Sequence, residues 1–394
     1  MLYNIFMIFL YSNSSDGWLG KQGLFLFNKP VFTLKVYKNR TYLNGRLIKT
    51  KKPLKLTESI VKKKKLFAVG FISYDYNDFI LSKKSPKKDD TNFPLIYLEF
   101  HKNYIEVEKK LKDSFTSKAQ KVIFNTTKDD FIKKVNTAKK YIESGDFYQI
   151  NLSHRIDING YFNKDTIFFN LINIQPTDYM MLIKNPEFSL ISASMELFLE
   201  KNGNLIKTKP IKGTVKKTGN PELDEKLKEE LKTSQKEKAE NLMITDLMRN
   251  DLGKIANNIK VDKLFEITQY STLYQMSSTV SGILKEGLSI DRIIESTFPP
   301  GSVTGAPKKR AMEVIEELED KRRSVYCGAT VLIKPNLNFV MSVAIRQILF
   351  KKDKAYIYVG SGIVSDSTPE KEWEETLLKA KANLKAIGLE SLKV

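Results

Sequence analysis

Cysteine and histidine are scarce in this sequence, and their scarcity excludes several kinds of site. Cys327 is the only cysteine among 394 residues, and His101 and His154 are the only histidines. One thiol cannot form an intrachain disulfide or a cysteine-based zinc site, and two histidines exclude a histidine-rich metal centre. Any resident metal is therefore expected to be a hard cation bound by carboxylates. A single cysteine also fits a reducing compartment, so we expect a cytoplasmic protein.

Long apolar runs are also absent. The strongly apolar start, residues 1–10, is too short to span a bilayer. It has no basic region before it and no convincing small-residue cleavage site, as a signal peptide would. We therefore predict an N-terminal strand there and no membrane association.

Acidic residues are outnumbered by basic ones. Lysine and arginine total 65 against 46 acidic residues, which gives a formal net charge of +19. Such an excess could attract nucleic acid, an anionic membrane surface or small acidic ligands. However, it is spread along the chain, is mostly lysine as in residues 62–65, and accompanies no nucleic-acid-binding motif. We therefore expect no nucleic-acid partner.

The pattern of apolar residues divides the chain into two regions. Residues 1–120 show short β-type runs separated by lysine-rich loops, whereas residues 121–394 alternate strands with helices. One helix is predicted from the cap Thr127 to Gly145, and the last over residues 368–386. We therefore predict an α/β (α+β) chain whose two regions form one intertwined unit.

Lys212 lies at a stiff corner between Pro210 and Gly213. Proline fixes one φ angle, and glycine permits geometry that other residues resist. A predicted hairpin turn at residues 201–204 can bring Glu196 back near Lys212. The two could act as acid and nucleophile or form a structural ion pair, and the corner alone is ordinary turn chemistry.

Two glutamate pairs stand three residues apart on predicted helices. They are Glu237 with Glu240, in a helical region over residues 222–253, and Glu372 with Glu375 in the last helix. This spacing places each pair on one helix face. Facing helices could bind a divalent cation with them, although a single such pair is more often a solvated surface.

Several glycine-containing segments suit ligand binding. Residues 301–308 combine glycines and hydroxyls before a predicted helix, an arrangement that suits an anion. Three strands are predicted over residues 326–333, 339–350 and 355–359, with Arg346 within the second. Gly360 and Gly362 follow the third and let a backbone approach a ligand closely.

Six of these segments together resemble the chorismate-utilising enzymes, and most of all the aminodeoxychorismate synthase large subunits, which are also called para-aminobenzoate synthase component I. They are residues 145–153, 194–196, 210–214, 240–251, 301–308 and 360–364, the last with Glu372 and Glu375. They stand in the family's order between Thr127 and the end of the chain, and the first 120 residues match only loosely. The resemblance implies two large antiparallel sheets packed as a sandwich with helices outside, and an active site between them in a chorismate-binding catalytic region, residues 121–394.

The resemblance also implies the ligands of that site. It implies magnesium held by Glu240 and Glu375, with Glu237 and Glu372 as nearby second carboxylates. Arginine suits chorismate's carboxylates because its fork is bidentate. The implied substrate-binding residues are Arg346, Tyr326, Gly360, Gly362, Thr304, Gly305 and Gln149.

Three positions distinguish members of the family. Lys212 stands where anthranilate synthases have alanine, and it matches the nucleophile of aminodeoxychorismate synthases. Gln149 stands where isochorismate and salicylate synthases carry the lysine that activates water, and Gln275 replaces a histidine typical of anthranilate synthases. The expected reaction forms 4-amino-4-deoxychorismate from chorismate and ammonia, for para-aminobenzoate and folate biosynthesis. Anthranilate synthase component I is the alternative.

The expected chemistry assigns roles to two side chains and requires a source of ammonia. Glu196 would protonate the departing hydroxyl, and a neutral Lys212 would attack the ring, helped by nearby positive charge from Lys207 or Lys209. Cys327 lacks the Gly-x-Cys-x-Gly elbow of a glutaminase, so we expect ammonia from a glutamine amidotransferase subunit or from solution. A basic nucleic-acid-binding protein is the non-enzymatic alternative, which the glutamate pairs disfavour because they would repel phosphate.

Overall fold

The strands of this protein form two antiparallel sheets in a computed structural model that describes residues 6–81, 85–108, 117–270 and 273–389. Within these ranges the strands β1 to β22 are Met7–Ser12, Gly23–Asn28, Phe32–Tyr37, Arg40–Leu43, Arg46–Ile48, Phe67–Ile72, Ile96–His101, Ile105–Val107, Lys118–Phe124, Gln149–Tyr161, Tyr179–Lys184, Ser189–Ser194, Leu197–Asn202, Leu205–Lys209, Ile211–Lys216, Ala256–Gln269, Leu273–Leu284, Gly305–Ala306, Ala329–Ile333, Phe339–Val343, Gln347–Lys351 and Lys354–Ile363. The helices α1 to α9 are Pro53–Lys64, Tyr76–Ile80, Lys128–Glu143, Lys164–Ile174, Pro221–Thr233, Gln235–Ile255, Ile290–Thr297, Lys308–Leu318 and Pro369–Ala386, with a 3-10 turn at Gly301–Val303.

The first sheet has the order β18-β10-β22-β21-β12-β11-β1-β2-β8, with β9 also paired to β10. The second has the order β15-β17-β14-β13-β20-β19-β6-β7-β3-β4-β5, with β16 also paired to β17. The largest buried cluster takes Ile8 and Leu10 from β1 of the first sheet and Val69 and Phe71 from β6 of the second. The predicted fold class, two large antiparallel sheets with helices, is confirmed.

The N-terminal region contributes strands to both sheets. β1 pairs with β11, and β6 pairs with β19, so each joins a strand from beyond residue 120. β1 lies within the strand expected at the start of the chain, of which residues 1–5 fall outside the described ranges. The division at residue 120 stays a prediction.

Local sequence signals explain several helix boundaries. The Thr127 hydroxyl accepts a hydrogen bond from the Asp130 amide at 3.2 Å, so α3 begins where the cap predicts. The helical region predicted over residues 222–253 is two helices, because Ser234 leaves helical geometry and caps α6 through the Glu237 amide. α1 was not predicted, although residues 62–65 are solvent-exposed as expected.

The strand prediction near the C-terminus was wrong in two places. The strand expected over residues 326–333 begins at Ala329, because Tyr326 lies in a preceding turn. The run over residues 339–350 is two strands, β20 in the second sheet and β21 in the first. Arg346 therefore lies in the crossing between the sheets, with a left-handed φ of 51°, and not within a strand.

No helix of the described ranges is long and apolar enough to cross a membrane. The cytoplasmic location stays a prediction.

Candidate active site

Two crossings between the sheets lie side by side and place Glu196 and Arg346. Glu196 lies between β12 of the first sheet and β13 of the second, and Arg346 lies between β20 and β21. The Glu196 carbonyl accepts from the Val343 amide at 3.0 Å, and the Arg346 carbonyl accepts from the Ala193 amide at 3.1 Å. The backbone of each crossing is therefore held by the other.

Lys212 reaches this place from the second sheet. Its strand, β15, pairs with β17, and the register shifts between Ile211 and Thr214. Gly213 in this bulge has a φ of +83°, and a Cβ there would lie 3.0 Å from the nearest Glu237 oxygen. The corner expected from the sequence is therefore a bulge within a strand, and only glycine fits it without strain.

The Lys212 amine ends against the first sheet. A Cβ added at Gly362 of β22 would lie 2.9 Å from the Lys212 Nζ and 2.7 Å from the Gln149 Nε2. Gly362 and Asn151 face each other in the pairing of β22 with β10. Because Gly362 has no side chain, Lys212 and Gln149 can both occupy the small space beside it between the sheets.

Burial shifts the pKa values of Glu196 and Lys212 in opposite directions. Glu196 is 5% exposed, and burial raises the pKa of its carboxyl to about 7, against the lowering effects of the Ser302 hydroxyl and Lys212. Burial lowers the pKa of Lys212, with Glu240 opposing the shift and Lys379 adding to it. The positive charge that acts on Lys212 therefore comes from Lys379, whereas Lys209 pairs with Glu266 at 3.2 Å.

Arg346 and Tyr326 occupy neighbouring turns. The Cys327 amide donates to the Ala344 carbonyl at 2.8 Å, which ties the Tyr326 turn to the Arg346 crossing. Arg346 Nη1 donates to the Lys379 carbonyl at 2.8 Å, and the Tyr326 ring stacks on Tyr358 with centroids 5.5 Å apart. The structure thus brings together two residues that the sequence analysis assigns to the substrate.

The loop before α8 is fixed to β10. The Thr304 hydroxyl donates to its own loop, at the Pro300 and Gly301 carbonyls, so this side chain is already engaged. The backbone carbonyl of Thr304 accepts a hydrogen bond from the Asn151 amide at 2.8 Å. A Cβ at Gly305 would lie 2.2 Å from the Gln149 carbonyl, so glycine is needed for this close strand contact.

A buried ion pair that sequence reasoning missed holds the same loop. Arg323 donates to the Val303 carbonyl at 2.8 Å and to the Asn151 carbonyl at 2.6 Å, and it pairs with Glu319 at 2.6 Å. Glu319 also accepts from the Ser153 amide and hydroxyl, each at 2.8 Å. Such a pair is tolerated in the interior because its remaining polar atoms are bonded. Both residues follow the end of α8, so helical spacing could not have revealed the pair.

The four glutamates predicted as metal ligands lie on α6 and α9. Burial raises the pKa of Glu237, and the negative charges of Glu240 and Glu375 raise it further. The carboxylates of α6 and α9 are therefore close enough to repel one another. Burial also raises the pKa of Glu372. Glu372 accepts from the Ser367 hydroxyl at 2.7 Å through Oε1, and its buried Oε2 has no partner among the described residues.

The four carboxylates are suitable ligands for a hard cation, but their side chains are not arranged around a single point. Within the described ranges, no three acidic, histidine or cysteine side chains stand close enough together to hold a metal. An all-oxygen donor set with one unpartnered buried oxygen is nevertheless what Mg²⁺ prefers. The residues therefore fit magnesium, whose binding stays a proposal.

Gln275, predicted to distinguish family members, lies beside the catalytic candidates. Its Nε2 donates to the Thr214 hydroxyl at 3.3 Å and to the Met195 sulfur at 3.0 Å. Thr214 follows Lys212 by two residues, and Met195 precedes Glu196. From its position on β17, Gln275 thus forms hydrogen bonds to the segments that carry Lys212 and Glu196.

Comparison with known proteins shows the family of this chain. The chorismate binding enzyme family matches residues 8–385. Aminodeoxychorismate synthase component 1 of Bacillus subtilis (strain 168) is 34% identical in an alignment that covers 82% of this chain and 77% of that protein. Anthranilate synthase component 1 of Aquifex aeolicus (strain VF5) is 41% identical over 267 residues, 67% of this chain. The chain spans about half of that relative, 54% of its length.

A solved structure shows the same fold along nearly the whole chain. Anthranilate synthase component I from Streptococcus pneumoniae TIGR4 superposes with a TM-score of 0.81 at 25% identity. The superposition covers 97% of this chain and 93% of that one. The chain, with its site between two antiparallel sheets, belongs to the chorismate binding enzyme family.

Proposed function

We propose that this protein is the large subunit of an aminodeoxychorismate synthase, which converts chorismate and ammonia to 4-amino-4-deoxychorismate and water. The observation that carries the proposal is the position of Lys212, whose amine lies between the sheets beside Gly362 and Gln149 and within electrostatic reach of Glu196. Anthranilate synthases resemble one another in having alanine at this position. A buried amine beside a buried acid supplies what substitution of a poor leaving group requires.

The first step replaces the C4 hydroxyl of chorismate by a bond to Lys212. The neutral amine attacks C2, the two conjugated ring double bonds move from C1–C2 and C5–C6 to C1–C6 and C4–C5, and the C4–O bond breaks. Glu196 gives its proton to the departing hydroxyl, which leaves as water. The resulting carboxylate can take the proton that the alkylated lysine nitrogen releases, so Glu196 returns to its acid form.

The second step releases the lysine. Ammonia attacks C4, both ring double bonds return to C1–C2 and C5–C6, and the C2–N bond to Lys212 breaks. The new C4 amine loses one proton as the lysine nitrogen regains one. The two steps together consume one chorismate and one ammonia and release one water.

The pKa shifts support these roles. A general acid needs a proton near neutral pH, and burial raises the pKa of Glu196 to about 7. A nucleophilic amine must be neutral, and burial lowers the pKa of Lys212. Gln149 supports attack by nitrogen over attack by water, because an amide cannot accept the proton of an attacking water molecule.

We propose magnesium as the cofactor, held by Glu240 and Glu375 with Glu237 and Glu372 as the further carboxylates. When bound, the ion would neutralise and anchor a carboxylate of the substrate. Arg346 would bind a carboxylate with its fork, beside Tyr326 and the backbone of Gly360 and Gly362.

We also propose a separate glutamine amidotransferase subunit as the source of ammonia. Cys327 is fully buried, and burial raises the pKa of its thiol to about 12, so it cannot supply the thiolate of a glutaminase. Both curated relatives described above are named as component 1 of their enzymes, which supports a second component.

Anthranilate synthase is the second candidate, because the Aquifex anthranilate synthase component 1 shares 41% identity with this chain. The two reactions differ in product. The purified chain, given chorismate, magnesium chloride and ammonium chloride, should form 4-amino-4-deoxychorismate, identified by chromatography and mass spectrometry. Fluorescent anthranilate as the main product would overturn our choice.

A further inference from the structure

Together with burial, Lys379 lowers the pKa of Lys212, and it makes further contacts that the proposed reaction does not use. It lies on α9, one helical turn after Glu375. Its Nζ stands 2.6 Å from the Glu375 Oε1 and also donates to the Gly360 carbonyl at 2.9 Å. Its own carbonyl accepts from Arg346. The Lys379 side chain thus connects a proposed metal ligand to Gly360, and its backbone carbonyl holds Arg346.

The Glu375 carboxylate is neutralised by this ammonium in the structure. The Lys379 Nζ lies within hydrogen-bond distance of the Glu375 Oε1, so the two opposite charges form a direct ion pair. Glu372, on the same helix face, pairs with the neutral Ser367 hydroxyl instead, and its pKa is raised. Of Glu372 and Glu375, only Glu375 has a cation at contact distance within the described ranges.

We propose that Lys379 is the resident counter-ion of Glu375, and that a divalent cation binds the carboxylates of α6 and α9 by displacing the Lys379 ammonium. This inference rests on the proposed function, because it assumes that Glu375 is a metal ligand. An ammonium at 2.6 Å occupies the carboxylate oxygen and repels a dication at the same atom. Lysine and metal therefore compete for Glu375.

The exchange is physically easy. The Glu375 and Lys379 side chains are 47% and 33% exposed, and ion pairs this open to solvent contribute little to stability. The hydrogen bond to the Gly360 carbonyl remains available after the ammonium leaves Glu375. The backbone contact with Arg346 does not depend on the lysine charge. Metal binding can thus move the ammonium while α9 stays in place.

The test is magnesium affinity measured by isothermal titration calorimetry on the full chain without chorismate. Lys379→Met keeps the length of the side chain and removes its charge, so magnesium should bind about two- to five-fold more tightly than to the wild type. Lys379→Arg keeps a competing cation and should bind about as the wild type does. Lys381→Met removes an exposed charge on the same helix and should also match the wild type.

Unchanged or weaker binding by Lys379→Met would overturn the inference, as would equal tightening in Lys379→Arg. Binding undetectable in every variant would also overturn it, because the exchange requires a site that forms without substrate. Circular dichroism of each variant checks that α9 is folded. Failure of the proposed function is a different result, since the product assay would then yield no 4-amino-4-deoxychorismate whatever the order of magnesium affinities.

Discussion

The candidate site has two halves, the pair Lys212 and Glu196 and the group of four glutamates, and the fold orders the first more completely than the second. The proposed reacting pair, Lys212 and Glu196, lies on a strand end and a sheet crossing, and Glu196 is 5% exposed. The carboxylate half lies on two helices, with Glu375 47% exposed and no three acidic side chains gathered around one point in the described ranges. Hydrogen-bonded strands hold side chains more rigidly than helix faces that meet across a gap. The first half is therefore preorganised, whereas the carboxylate half is not gathered around one point, and we propose that a cation completes it.

The largest effect is expected from the nucleophile. Lys212→Ala should lower kcat/KM with ammonium by about a thousand-fold or more, because no other amine in the described structure lies at Gly362. Steady-state assay of 4-amino-4-deoxychorismate measures this. Lys216→Ala, an exposed lysine of the same strand, should keep wild-type activity. Full activity in the Lys212 variant would show that Lys212 is not the nucleophile.

The acid should give a smaller loss and a pH signature. Glu196→Gln cannot donate a proton and should lower kcat/KM by roughly a hundred- to ten-thousand-fold. In the wild type, kcat/KM should fall as the pH rises through about 7, because the acid form of Glu196 is then lost. That fall should vanish in the variant. If the variant keeps the same alkaline limb, another group is the acid.

The space at Gly362 tests whether the reacting half depends on close fit. A methyl group in Gly362→Ala would stand 2.9 Å from the Lys212 Nζ and force it to move. A displacement near 1 Å can cost about a hundred-fold in rate, so we expect a loss of that order. Gly253→Ala in α6 meets no described atom within 4 Å and should keep its activity. Equal activities would show that Lys212 tolerates displacement.

The carboxylate half should respond to magnesium concentration more than to the chemistry. Glu240→Gln should raise the magnesium concentration for half-maximal rate by about ten-fold, while the rate at saturating magnesium changes less. Glu374→Gln, an exposed glutamate on α9, is the control. An unchanged magnesium response in the Glu240 variant would remove it as a ligand.

The sequence predicted elements whose signals are local. The Thr127 cap marks the start of α3, and Pro369 opens the last helix near its predicted start. The sheet switch at Arg346 was missed because the run of residues 339–350 is almost entirely buried on both sides. Its apolar pattern cannot show that the strand changes sheet. That change is set by contacts with a distant segment, the crossing at Glu196.

The sequence could predict which residues form the candidate site, but not which charges act on them. The motif resemblance named Lys212 and Glu196, which the structure brings together from different sheets. It could not supply Lys379 as the cation acting on Lys212, because those residues lie 167 positions apart, the difference between 379 and 212. Nor could it supply the pair of Arg323 and Glu319 that holds the loop before α8, since burial and hydrogen bonds appear only in the fold.

The most direct test is the mass of the intact protein after incubation with chorismate and magnesium in the absence of ammonia. Without ammonia the second step cannot occur, so the protein should gain the mass of one chorismate minus one water. Peptide mapping should place this adduct on Lys212, and ammonium should discharge it as 4-amino-4-deoxychorismate. Turnover with ammonium in a protein that shows no adduct, or an adduct that persists in Lys212→Ala, would contradict the assignment of Lys212 as the nucleophile.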